Sequence, residues 1–402
     1  MRLNLVDIGM VSAPLFLVLM MFFLPISPTL LSICLGVGSL ILISIPYYRR
    51  ISFYTWGSWS GLLAIGLFVF ILIASLWSPA SVGQKFSVIS KYFKLFYLPI
   101  VAVSFINPKM RQWSLNAYLF GMMFTCCYSI ALSQGLIPFN PDVYEAGGVF
   151  HNHIITSFMM AFASYLSGLF LLKYKGWARA AYLMVFLLSS YQIIFINTGR
   201  TGYLIYFVLM SLLLLQKFSW KQAMTGLVLF CGLMALCYKL SPVMNQQIDQ
   251  LVNEVQMYTH NQEENSVGLR IQFHQYSRSL LNERPLLGIG TGAFKYRFSQ
   301  DNPVPSWGAN LNEPHSQYWM LLAEHGLVGF SLFCFFLLSL VFLAFRLKEM
   351  RPILLGFTVV FSIICLTDTV FSYSVIGYLM IMIIAISFGE LHELREARES
   401  AS

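Results

Sequence analysis

Charge is what this sequence has least of. Of its 402 residues only 10% are charged and 57% are hydrophobic, whereas a soluble domain carries about 25% charged residues. That shortfall excludes an ordinary globular core and points to a polytopic membrane protein. Cysteine is also sparse: the seven thiols, Cys34, Cys126, Cys127, Cys231, Cys237, Cys334 and Cys365, all lie in or beside apolar runs. Their spacing offers neither a disulfide framework nor a metal-ligand set, so they read as packing residues. The formal net charge of +8 does not imply nucleic acid, because most Lys and Arg sit in short loops between apolar runs. No convincing small-residue cleavage site follows the first apolar stretch, so it reads as a retained helix.

What is there is hydrophobic length. Apolar segments recur from about residue 8 to residue 390, enough for roughly twelve membrane-spanning helices. One set of loops holds Arg2, Arg49, Arg50, Lys109, Arg111, Lys173, Lys175, Arg179, Lys217, Lys221, Arg346, Lys348 and Arg351. With twelve helices these loops alternate with the others, which puts both termini in the cytoplasm. The expected organisation is helices 1 to 9 in residues 1–239, a polar periplasmic loop in 240–314, and helices 10 to 12 with a tail in 315–402. Within the loop, "SPVMNQQIDQLVNEVQMYTH" and "LRIQFHQYSRSLLNERP" have the periodicity of amphipathic helices. "LLGIGTGAF" reads as a glycine-rich turn and "SQDNPVPSWGANLNEP" as loop.

Cations left on the outer side are informative, because orientation does not account for them. Arg200, in "FINTGRTGYL", sits in a tight polar turn between two apolar runs; it either snorkels to the interface or binds an anion such as phosphate. Arg270 and Arg278 are eight residues apart, close to one helix face, and Arg284 ends that helix, where a cation also offsets the dipole. Lys85, Lys91 and Lys94 suit an anionic headgroup or are simply solvated. His151 and Asn152 open an outer helix; His151 with His153 is a weak metal pair, and Asn152 also reads as an N-cap. His315 precedes a long apolar run, and its imidazole is suited to proton transfer near neutral pH, although a boundary histidine facing headgroups is the plainer account. His325 reads as structural. Asp142, Glu145 and Glu313 are outer-face acids without the pairing of a glycoside hydrolase. No Ser/His/Asp arrangement is visible. Cations and one histidine above apolar helices suit an anionic, lipid-linked substrate.

At the level of motifs the sequence resembles the O-antigen ligase and polymerase superfamily of bacterial envelope glycosyltransferases. His315, Ser316, nine residues to His325, then Gly326 and Gly329 match the ligases' histidine motif, and Arg200 with Leu204 matches their R-x3-L. "LRIQFHQYSRSLLNERPLLGIGTGAF", opened by Arg270, is similar to the family's loop signature. The resemblance implies an all-α, GT-C-like bundle of about twelve transmembrane helices with one large, partly helical periplasmic loop, in the bacterial inner membrane. It implies metal-independent inverting glycosyl transfer, with no cofactor, from undecaprenyl diphosphate to lipid A-core oligosaccharide. Arg200 and Arg270 would bind the donor diphosphate, and His315 would act as base on, or orient, the acceptor hydroxyl. Lys85, Lys91, Lys94, Arg278, Arg284, His151, Asn152, Ser316 and Gln317 are then the candidate substrate-binding residues. O-antigen polymerase and protein O-oligosaccharyltransferase remain open as alternatives, and a transporter for the lipid-linked glycan is the alternative of another class.

Overall fold

The structure, a computed structural model, describes residues 5–138 and 146–400; Arg2, Asp142 and Glu145 lie outside the described residues. Among them all regular structure is helical. The physical reason is the solvent: within a bilayer every backbone N–H and C=O must be satisfied inside its own segment, which a helix does. Among the described residues seven helices are long and apolar enough to cross a membrane, or eight if the bent pair Pro28–Ser44 and Pro46–Trp56 forms one span. Three more are apolar but shorter, Ser12–Phe23, Trp59–Ala74 and Arg351–Thr367. The count of twelve expected from apolar runs is thus larger than the count that meets both length and composition. Large apolar side chains stand exposed along these helices, Val228, Leu229 and Phe342 among them. In water such a surface would aggregate; against lipid it costs nothing. The chain is a multi-pass membrane protein.

The chain divides into two compact units, residues 1–41 with 107–250, and residues 42–106 with 251–402. In the first, the helix His153–Lys173 is buried along most of its length, with Phe158, Phe162 and Tyr165 fully enclosed. Small residues allow this closeness. Gly202 lies against Ser157 with no room for a Cβ. The Tyr118 hydroxyl donates to the Met159 carbonyl at 2.7 Å, which satisfies a phenol that would be costly to bury alone.

In the second unit, Ser374–Glu399 is the enclosed helix, with Gly389 closed against the Phe105 backbone. Its buried Glu390 accepts from the N–H groups of Lys348, Glu349 and Met350 at 2.8 to 2.9 Å and so caps the entry to the helix Arg351–Thr367. Sequence positions 78–90 conceal a helix, Val82–Tyr92, opened by a capping box in which Ser81 and Gln84 satisfy each other's backbone. It continues through 3₁₀ turns to Phe105.

The polar segment holds the two expected helices, Pro242–Thr259 and Ser266–Glu283, the second capped by Asn265. It also contains a third, Ala293–Asp301, where the sequence reads as turn and loop. Phe273, Leu280, Phe294, Phe298 and Val304 form a core here, closed by Met320 and Ala323 from the helix Gln317–Phe345.

That helix is not continuous. Gly326 has φ of +59°, a conformation open to glycine and strained for other residues. The glycine-rich segment fills the break. Leu327 N–H donates to the Pro285 carbonyl (2.8 Å) and Val328 N–H to the Leu286 carbonyl (3.1 Å), while Ile289 and Gly290 donate back to Ala323 and Glu324 (3.0 and 2.9 Å). A regular helix through His325 was the simple expectation; the freed backbone groups are instead satisfied by a second chain segment.

Candidate functional site

In the first unit the turn "NTGR" is built from Asn197. Its fully buried amide donates to the Gly147 carbonyl at 2.8 Å and accepts from the Gly199 N–H at 2.7 Å, and the Tyr203 hydroxyl donates to its carbonyl at 2.6 Å. This fixes Arg200 as the first residue of the helix Arg200–Lys217. The half-buried guanidinium reaches the Gln247 side chain at 3.4 Å. Asn152 caps the helix His153–Lys173, accepting from Ile155 N–H at 2.9 Å, so its side-chain oxygen is engaged in the cap. His151 is pushed below the usual imidazole range by burial, partly offset by a backbone contact to Leu24.

The second unit holds His315. Its φ is +53°, a region that costs a non-glycine residue about 1–2 kcal/mol. Two features hold it there. His274, on the helix Ser266–Glu283, lies against the Pro314 and His315 backbone. Ser316 then caps the following helix, accepting from Trp319 N–H at 3.4 Å and donating to the Cys365 carbonyl at 3.3 Å. Gln317, fully buried, donates to the Tyr92 hydroxyl at 2.7 Å and accepts from Phe371 N–H at 3.1 Å, while its own N–H reaches the Asp368 carbonyl at 3.0 Å. Ser316 and Gln317 therefore anchor the strained turn; both are buried, and their polar groups are engaged by protein.

The imidazole retains 26% exposure, and its Nδ1 lies 3.7 Å from Oδ1 of Asp368, which is 1% exposed. At that distance the pair is electrostatic rather than hydrogen-bonded. Asp368 is held by the Thr369 N–H at 2.9 Å and by the Tyr373 hydroxyl at 3.1 and 3.2 Å. Glu313 completes the cluster. Burial pushes its carboxyl above the usual range and Asp368 adds to this, whereas a hydrogen bond from Ser372 and the charges of Lys91 and His315 oppose it. The buried carboxylate thus faces the ring edge without a hydrogen bond to it, and a partly exposed imidazole in such a place can serve as a general base. Glu313, His315 and Asp368 also each offer a ligand atom within 4.8 Å of one another, a spacing that a cation would accept.

Of the other candidates, Arg270 is half-buried and acts electrostatically on His274, the residue that lies against the His315 backbone. Arg278 and Arg284 are exposed. Lys85 is half-exposed. Lys91 donates to Ser372 at 3.3 Å. The expectation for Lys94 needs correction: it is 3% exposed, donates to the Phe371 carbonyl at 3.1 Å and lies over the Tyr378 ring at 5.4 Å. It is an interior cation, because the helix turns through 3₁₀ geometry at Phe93–Phe96 and carries it inward. Sequence reasoning passed over Asp368 as a functional partner; the signal was a lone acid at the end of an apolar run. All seven cysteines are free.

Residues 183–334 match a family model described as O-Antigen ligase. No curated protein matches the chain. The matched stretch contains Arg200, Arg270 and His315. Over residues 183–334 the chain is thus similar to the O-antigen ligase family.

Proposed function

We propose that the protein is an O-antigen ligase of the bacterial inner membrane, with its termini in the cytoplasm and its site in the periplasm. It transfers a glycan from undecaprenyl diphosphate to lipid A-core oligosaccharide with inversion. The observation that carries this reading is His315 held in a strained turn beside the buried Asp368, inside the matched segment. His315 takes the proton of the acceptor hydroxyl as that oxygen attacks the anomeric carbon, and Asp368 stabilises the imidazolium that forms. A positioned base of this kind contributes about 10²–10⁴-fold. Arg200 and Arg270 bind the diphosphate, which gains negative charge as the glycosidic bond breaks; the planar guanidinium suits phosphate better than an ammonium does.

The expected outcome of His315→Ala and of Arg200→Ala is loss of glycan from lipid A-core at normal expression. Wild-type lipopolysaccharide capping in either variant rejects the mechanism. The deletion strain tests the assignment within the superfamily: loss of all long chains from lipid A-core fits a ligase, a single-repeat product a polymerase, and loss of glycosylated protein the protein-modifying branch. Purified protein with donor and acceptor is expected to form product in chelator. Dependence on a divalent cation would instead assign Glu313, His315 and Asp368 to a metal.

A further inference from the structure

The Glu324 carboxylate is fully buried, yet only part of it is engaged. Its Oε1 accepts from Phe294 N–H at 3.1 Å, while Oε2 has no hydrogen-bond partner among the described residues. A buried acceptor left unmade is costly, so a native carboxylate in this state is a place to look for a missing donor. Glu324 lines a cavity of about 470 Å³ within the second unit, together with Lys91, Lys295, Asn312, Glu313 and Ser372. That volume falls in the range of roughly 300–1,000 Å³ typical of small-molecule sites. Glu313 is both a wall of this cavity and a member of the cluster with His315 and Asp368. Ser372 ties the two together, accepting from Lys91 and hydrogen-bonded to Glu313.

The composition of the wall selects the ligand. Two carboxylates would repel a phosphate, and two ammonium groups would repel a bare cation. Donors and acceptors alternate around one polar space, and Asn312 and Ser372 supply both. A polyhydroxylated ring, whose every hydroxyl donates and accepts, matches such a wall.

We propose that this cavity is a saccharide subsite and that it holds the acceptor sugar whose hydroxyl is presented to His315. Glu324 is the specificity-determining residue, with Oε2 accepting from a sugar hydroxyl, and Lys295 donates from the exposed rim. Assignment of the sugar to the acceptor rests on the ligase reading above; the polar complementarity of the cavity does not.

The test uses the full-length protein in nanodiscs and, as probe, core oligosaccharide released from lipid A, with binding followed by saturation-transfer NMR and by titration. Wild type is expected to bind. Glu324→Gln, which keeps the acceptor for Phe294 N–H but turns Oε2 into a donor, is expected to bind about tenfold more weakly or worse. Lys295→Ala, at an exposed position, is expected to weaken binding in the same direction. Equal binding in wild type and both variants, or no binding by wild type, overturns the inference. So does inorganic phosphate binding that these substitutions abolish in the absence of saccharide binding. If lipid A-core is capped normally in a deletion strain while the variants lose probe binding, the ligase reading fails and the subsite stands. If the variants cap lipid A-core and bind the probe as wild type does, the subsite fails and the ligase reading stands.

Discussion

His274 carries no motif, yet it does much to define the site. It lies against the backbone of Pro314 and His315, where the chain takes the left-handed conformation. Burial, with the charges of Arg270 and His315 behind it, keeps its imidazole below the ordinary range; burial does the same for His151. Both side chains therefore bind fewer protons in the folded protein than in the unfolded chain. Their contribution to stability is fully present above the reference value of about 6.5 and is lost as pH falls through the lower folded values. Thermal unfolding of the purified protein is expected to occur at lower temperature at pH 5 than at pH 7.5. His274→Gln should flatten that slope in part and His151→Gln should flatten the remainder. A slope unchanged in the double variant would mean that other groups govern it.

Helix termini and helix breaks differ in how far the sequence reveals them. The start at Gln317 was legible, since Ser316 precedes an apolar run and caps it. The helix Val82–Tyr92 was legible in principle: the Ser81-x-x-Gln84 spacing is a capping box, masked by the lysines that follow. The helix Ala293–Asp301 was not, because a short polar stretch flanked by glycine and asparagine in left-handed geometry gives no periodic signal. The break at Gly326 was hidden for another reason. Glycine in an apolar run ordinarily signals close helix packing, and only the arrival of Pro285–Gly290 distinguishes a break from a contact. Gly326→Ala places a Cβ against the Leu286 carbonyl and the Gly288 amide and costs at least about 1–2 kcal/mol from the backbone alone. It is expected to lower the unfolding temperature in detergent by several degrees. Gly83→Ala, where a Cβ meets open space, should leave it nearly unchanged. Equal melting of the two variants would contradict the strained geometry at 326.

For the molecule as a whole, composition alone made the membrane class legible, since a chain with 10% charged residues has few other solutions. The partners of the site were not legible. Asp368 lies 53 positions from His315, and Tyr92 meets Gln317 across 225; a single sequence gives no signal for pairs so far apart. The charge pattern also yields an orientation that can be checked. With the exposed Cys127 and Cys231 replaced by serine, Arg278→Cys is expected to react with a membrane-impermeant thiol reagent added outside the inner membrane, and Lys348→Cys only after permeabilisation. The reverse pattern would invert the topology and move the site to the cytoplasmic face.

The four backbone hydrogen bonds across the Gly326 break also limit how this chain can vary in length. Segment 285–290 is measured residue by residue against 323–328, so losing or gaining one residue there would shift the register and leave amides without partners in an apolar interior. Between Asn302 and Leu311 the backbone is mostly irregular and much of it is exposed, so insertions are expected to be tolerated there. Among relatives, chain length should therefore be constant from Pro285 to Gly292 and variable just before the histidine.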